Sequence, residues 1–457
     1  MNSIINNSAW LLFIMNIVMM NWNTEATLIN TQWTMQDYQL SRQKQFQINE
    51  NNDNELSGKF LHITDIHLDK FYLPNSDPSK FCHDYSEESK DKSGKFGTPQ
   101  SKCDSSYALV NSTFSFLKEN FQDIDFIIYT GDSLRHGRDQ NLPLTKDYIK
   151  WTHKAIINYI METFDIDKIK FIPTLGNNDE WVHNQLEGGQ NTLFSNLTQI
   201  WEPLKLNLTS DFLKGGYFRQ DINSKLSIFS LNSMYFFSHN ERIEDCKHKN
   251  SPGAIQLKWF RHQLISARKE KRKVFIVQHI PPLNSEGEPT FYRTCYGKYV
   301  ELLGTFSDVI SGHFTGHTNL DTLTFVTVSK NRFHDKYSLL YLDKDDDLLI
   351  ESNKEVILVL NNAPSIYPVH NSGIREYTYS TSLEMFGILT DYIQYYADIK
   401  KANKIGKLEW EIEYIASKTY NMKQLSPPDW GKVLVQMKNK NSKLWKIYSK
   451  YVTVSEY

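Results

Sequence analysis

GKFLHITDIHLD (58–69) drives a short apolar run, KFLHIT, into a polar cluster, and the same cadence returns four times downstream. DFIIYT leads into GDS (131–133), KFIPTL into GNND (176–179), KVFIVQ into HIPP (279–282), and DVISGHFT into GHTN (316–319). Short apolar runs closed by turn-forming residues read as buried strands. Between them Tyr107–Asn120, Lys146–Phe164 and Ala254–Lys271 show amphipathic, helical spacing. Strand–helix alternation of this kind predicts a layered α/β core, and the polar clusters at the strand ends are where such folds place their sites. No internal repeat is present.

The polar residues that close the strands form a set. Asp65 and His67 stand two apart at the end of the first run, a spacing that puts both side chains on one face of a strand. Asp132 follows Gly131, Asn177 follows Gly176, His279 closes the fourth run, and His317 and Asn319 follow the fifth, again two apart. Any one of these is ordinary turn chemistry on its own. Carboxylate, imidazole and carboxamide donors recurring in order at successive strand ends suit divalent Mn, Fe, Zn, Co or Mg, and seven donors suffice for two ions with Asp132 shared.

With those motifs go FGTPQSKCDS (96–105), DFIIYTGDSLRH (125–136), IPTLGNNDEWVHN (172–184), LSIFSLNSMYFF (226–237), VQHIPP (277–282), FTGHTNLD (314–321) and the terminal LWKIYSKYVTVS. The series resembles the calcineurin-like metallophosphoesterase superfamily. Within it the chain resembles the acid-sphingomyelinase-like branch and the endopolyphosphatases, over most of residues 58–457. The resemblance implies an α/β fold: a four-layer metallophosphoesterase β-sandwich flanked by helices over 58–360, and a mostly helical extension over 361–457 packed on it. It implies Asp65, His67 and Asn319 on a first divalent ion, Asn177, His279 and His317 on a second, and Asp132 between them. Asn178 stands where the wider superfamily carries a histidine that serves the leaving group, and Asn319 where it carries a second histidine ligand. Both asparagines resemble the endopolyphosphatase pattern. An amide is no general acid, so His136, four residues after Asp132, becomes the candidate acid, with orientation of Asp132 as its alternative role. Arg135, Asn178 and His183 are candidate phosphate contacts. The implied reaction is hydrolysis of internal phosphoanhydride bonds of inorganic polyphosphate by a hydroxide shared between the ions. Rival readings are a sphingomyelinase-like or nucleotide phosphodiesterase, and a non-catalytic lumenal binding protein. Loss of metal donors would mark the last, yet all seven positions hold competent ones.

Composition bounds the rest. Across 457 residues, 51 Lys+Arg nearly balance 53 Asp+Glu, so any polyanion site must be a local basic patch, and no nucleic-acid partner is expected. The run RKEKRK (268–273) is one candidate patch, read first as the solvated end of a helix. An apolar run from Ala9 to Trp22 marks residues 1–22 as a signal peptide or signal-anchor, the latter giving a single-pass membrane anchor. Residues 23–57 read as a flexible linker, and 331–350 as a charged insertion. Sequons at Asn111, Asn196 and Asn207 and an even count of four cysteines agree with a secretory route, whether to a vacuole- or lysosome-like lumen or out of the cell. Cys82, Cys103, Cys246 and Cys295 allow three pairings, of which the local bridges Cys82–Cys103 and Cys246–Cys295 are favoured over the others and over free thiols.

Overall fold

A computed structural model describes residues 56–330, 335–342, 354–439 and 441–455. The segment expected as signal peptide or signal-anchor lies outside them, as does the linker except for its last two residues. No helix among the described residues is long and apolar enough to cross a membrane.

The expected strands form where the apolar runs predict them. β1 (Lys59–Ile63), β2 (Phe126–Tyr129) and β3 (Lys170–Pro173) pair in parallel. A second sheet is built around β5 (Leu226–Ser230), β6 (Lys273–Val277) and β7 (Ile310–Thr315), also parallel, with β4 (Phe218–Asp221) on one edge. On its other side β10 (Lys354–Asn362) joins β7 in parallel, followed by β8 (Thr322–Ser329) and β9 (Lys336–Tyr341). Strand β9 falls inside the expected charged insertion, which therefore carries an edge strand as well as charge. Residue 360, the expected domain boundary, lies within β10.

The two sheets face each other through aromatic rings. Phe60 of β1 stacks on Phe126 at 4.8 Å, and its ring centroid lies 5.4 Å from Phe275 of β6 and 5.3 Å from Phe314 of β7. Burial of one such ring contributes about 1.5–3 kcal/mol, and the offset and edge geometries add to it. Helices α1 (Tyr107–Asn120), α2 (Lys146–Thr163) and α3 (Pro252–Lys269) lie near the expected positions, capped by Ser106, Thr145 and Ser251, and a further helix, α4 (Arg293–Thr305), follows β6.

The expectation of a mostly helical extension is incomplete. Helices α5 (Pro427–Met437) and α6 (Lys443–Tyr451) end the chain, but β11 (Ser372–Tyr379), β12 (Leu389–Ala397) and β13 (Glu411–Ile415) precede them and complete the first sheet in the order β13-β12-β11-β1-β2-β3. Alternation such as IREYTY in β11 was hidden by polar residues that the fold buries: Arg375 and Glu376 are at most 1% exposed.

Candidate metal centre

Parallel pairing carries the C-terminal ends of β1, β2, β3, β6 and β7 to one edge of the sandwich, but the donors sit just past the strands. Asp65, His67, Asp132, His317 and Asn319 all adopt left-handed backbone, with φ of 50°, 45°, 60°, 73° and 61°. That conformation costs non-glycine residues energy and gathers at functional sites. It also replaces the strand-alternation argument: Asp65 and His67 turn inward because their loop runs beside the next one. Asp65 N–H donates to Gly131 O at 2.9 Å, and His67 N–H to Asp132 O at 3.1 Å. The glycines of GN and GH leave room for carboxylates. A Cβ on Gly176 would lie 2.0 Å from Asp132 Oδ1, and one on Gly316 2.5 Å from Asp65 Oδ2.

Asp132 is the meeting point. His67 Nε2 lies 3.4 Å and His279 Nε2 3.3 Å from its Oδ2, and His67 Nε2 is 3.6 Å from Asp65 Oδ1. Asn177 Oδ1 accepts from His279 Nε2 at 2.8 Å and from His317 Nδ1 at 2.7 Å. Two of the three imidazoles are tied back by their outer nitrogen, His67 Nδ1 to Leu134 O and His279 Nδ1 to Thr130 O, both at 2.7 Å. That is how ligating imidazoles are oriented elsewhere. The amide of Asn177 is fixed as well. Its Nδ2 contacts Asn184 Oδ1 at 2.9 Å and His183 Nε2 at 3.0 Å, leaving Oδ1 for the site.

The charges ask for a cation. Burial would strip His67 and His279 of their protons, yet the surrounding aspartates, Asp65 and Asp132 above all, raise each to about 9. Burial would raise the Asp132 carboxyl, and His279 and His67 instead hold it well below the usual range. His317 is pushed down to about 4 by burial and by the neighbouring His279. Asp65 Oδ1 and Asn319 Oδ1 are buried acceptors with no hydrogen-bond partner. An orphaned buried acceptor is costly, and two beside carboxylates fit a site for divalent ions. The donor set therefore fits two ions, with Asp65 and His67 on one side of Asp132 and His279, His317 and Asn177 on the other; Asn319, two residues after His317, adds a buried oxygen without a hydrogen-bond partner.

The remaining candidates sort differently. His136 stacks on His67 with centroids 4.2 Å apart, but its Nδ1 pairs with Asp104 Oδ1 at 2.6 Å, and orientation of Asp132 falls to other residues. Asn178 does that work: its N–H donates to Asp132 Oδ1 at 2.8 Å and its Nδ2 to Oδ2 at 2.7 Å. Asp179 caps the Asp132 and Gly176 amides. Arg135 is excluded as a phosphate contact. It is fully buried, donates to His136 O and Leu142 O, lies 3.7 Å from Asp69, and sits beside the rings of Phe71 and Tyr148. His183 is exposed beside Asn177. The two arginines of the RKEKRK run are paired, Arg268 with Asp308 and Arg272 with Glu270 and Asp221.

Asp104, Asn184 and Tyr367 had been assigned no role. The first two sit within the quoted motifs, and Tyr367 arrives from the C-terminal region, its N–H on Asp65 O at 2.8 Å and its ring 5.0 Å from His67. Gln278 accepts from Tyr299 OH at 2.9 Å and donates to Ile280 O, pinning the backbone on both sides of His279. The cysteines form the two local bridges, Cys82–Cys103 and Cys246–Cys295. Asn111 and Asn207 are exposed and Asn196 half-buried.

Similarity to known proteins agrees with this geometry. An endopolyphosphatase from Neurospora crassa is 37% identical over 59% of this chain and 38% of its own length; one from Schizosaccharomyces pombe is 34% identical over 60% and 49%. The chain thus spans half or less of the length of these curated relatives. "Sphingomyelinase phosphodiesterase C" from Dictyostelium discoideum is 29% identical over 86% of this chain and 84% of its own length. Residues 357–457 match the acid sphingomyelin phosphodiesterase C-terminal region. Residues 58–321, which hold every donor described above, match the calcineurin-like phosphoesterase family, and the chain belongs to that family.

Proposed function

We propose that the chain hydrolyses inorganic polyphosphate at internal phosphoanhydride bonds, in a reaction that requires two divalent metal ions. The observation that carries the reading is Asp132 Oδ2 lying between His67 on one side and His279 on the other. Bound there, two divalent ions would supply Lewis acidity toward a phosphoryl group and lower the pKa of water. The protein's own part is to hold the donors, through Asn178 on Asp132 and Asn184 on Asn177, and to place His136 beside them. With Nδ1 engaged by Asp104, Nε2 is the nitrogen of His136 left for a leaving phosphate oxygen; burial lowers the pKa of this ring against the pull of Asp104, so it gives a proton there only from its imidazolium form.

The names of the relatives from Neurospora crassa and Schizosaccharomyces pombe support the polyphosphate substrate, as do asparagines at 178 and 319. The length of the Dictyostelium discoideum match favours a second reading, a phosphodiesterase using the same donors. A secretory location, in a vacuole- or lysosome-like lumen, is part of the proposal. Two disulfides support an oxidising compartment, and glycan removal shifting the mobility of the expressed protein would test it.

The deciding experiment sizes the products of long-chain polyphosphate on a gel after chelation and then with Mn, Mg, Zn or Co restored. Metal-dependent appearance of mid-length chains supports the proposal. Turnover of sphingomyelin or bis-p-nitrophenyl phosphate with polyphosphate untouched would move the protein to the second reading.

A further inference from the structure

Arg138 is an arginine close to the donor cluster, reaching it through Tyr367. It is exposed, two residues after His136. Its Nη1 makes two long contacts, to Lys102 O at 3.3 Å and to Tyr367 OH at 3.4 Å. Arg219, Arg242 and Arg268 each lie against a carboxylate. Among the described residues Arg138 has no carboxylate within ion-pair distance, so most of its N–H groups are uncommitted. Its place is set by two neighbours of the metal donors. The Tyr367 ring lies 5.0 Å from His67 and 5.3 Å from His136, and the Lys102 carbonyl precedes Cys103 and Asp104, the partner of His136. The charge of Arg138 is felt at His136, Asp104 and Tyr367, and at His183 beside Asn177.

Resting on the function proposed above, we infer that Arg138, held by Tyr367 and the Lys102 carbonyl beside His136, forms a subsite for the oxyanion of a second phosphoryl group, next to the one being cleaved. A guanidinium with free N–H groups suits two phosphate oxygens at once. The subsite sets substrate class. A polyphosphate chain presents a second anionic phosphoryl group on each side of every internal bond. A phosphocholine diester presents a quaternary ammonium, which Arg138 repels. An arginine here therefore selects phosphoanhydride chains over choline diesters.

The test compares Arg138→Gln, Arg138→Lys and Tyr367→Phe with the unaltered chain. In one arm, tripolyphosphate binding is measured by calorimetry in the Asp132→Asn background, where no turnover is needed. In the other, KM is compared between polyphosphate and bis-p-nitrophenyl phosphate, a diester with one charge. Arg138→Gln is expected to weaken tripolyphosphate binding roughly 10- to 100-fold, the worth of a charge-assisted hydrogen bond, with a loss on the diester several-fold smaller. Arg138→Lys recovers part of the binding, and Tyr367→Phe loses a fraction of it. Unchanged tripolyphosphate affinity in Arg138→Gln overturns the inference, and so does an equal loss on both substrates. Failure of the unaltered chain to cleave polyphosphate would sink the proposed function, while the binding arm would still decide the subsite.

Discussion

The two halves of the metal centre are built by different means. On the Asn177–His279–His317 side, the donors already bind one another at 2.7–3.2 Å, and the outer groups of Asn177 and His279 are anchored by Asn184, His183 and Thr130. On the Asp65–His67 side, where the family resemblance puts Asn319, two donor oxygens are left without partners, and all three residues sit in left-handed backbone. The loops there are held from outside. Asp321, two residues past Asn319, pairs with Arg375 of β11 at 2.6 Å and takes a hydrogen bond from Tyr414 of β13. The difference teaches that one half is organised by its own ligands and the other by the C-terminal region, so the two should respond to different mutations.

Asp132 belongs to both halves, and its loss is the largest effect expected. Asp132→Asn keeps the shape but removes the shared charge; several kcal/mol of transition-state stabilisation correspond to roughly 10³-fold or more in turnover. Isothermal calorimetry should show that both ions bind more weakly. Loss of one ion alone would mean that Asp132 is not shared.

Next comes the Cys82–Cys103 bridge. It closes a loop with a sequence separation of 21 and fixes Asp104, which holds His136 against His67. Replacing both cysteines with serine should lower stability by about 3 kcal/mol, read from urea unfolding. The accompanying drop in turnover should come with unchanged affinity for the ion on the Asn177 side. Asn184→Ala is the mirror experiment. It frees the Asn177 amide and should weaken the ion on that side about 10- to 100-fold, leaving the Asp65 side intact. Equal weakening of both ions by either change would break the comparison.

What the sequence revealed follows the same line. The donors were legible because each closes an apolar run, and order, spacing and residue type reinforce one another. The disulfides were legible because both span nearby stretches of chain. Arg135 misled, since a guanidinium beside a motif looks the same whether it faces solvent or, as here, lies buried against Phe71 and Tyr148. Asp104 and Asn184 were in view but mute, because their roles depend on which side chain they touch. Strands β11–β13 were missed for a physical reason: Arg375, Glu376 and Gln394 are polar residues in buried strands, satisfied by one another and by tyrosines. A pattern read by apolarity passes over such a sheet.

That polar sheet also carries the smallest predicted effect. Glu413 of β13 receives a hydrogen bond from Ser455 on Oε1, while Oε2 is buried without a partner. Burial, with the nearby Asp321 charge adding to it, raises the Glu413 carboxyl from 4.5 to about 8, against the pull of Ser455, Arg375 and Lys450. The folded chain thus keeps a proton that the unfolded chain releases. Stability from this group is complete below the unfolded value of about 4.5 and is lost as pH rises toward 8, with a slope of at most about 1.4 kcal/mol per pH unit. Glu413→Gln carries the neutral form at every pH. Its unfolding free energy, compared with that of the unaltered chain at pH 5, 6.5 and 8, should move progressively in its favour as pH rises. Because Asp321 also anchors the loop that bears Asn319, the same substitution should sharpen the contrast between the halves by firming only the Asp65 side at alkaline pH. A pH-independent difference between the two proteins would show that Glu413 titrates normally, and that its buried oxygen is reached by water.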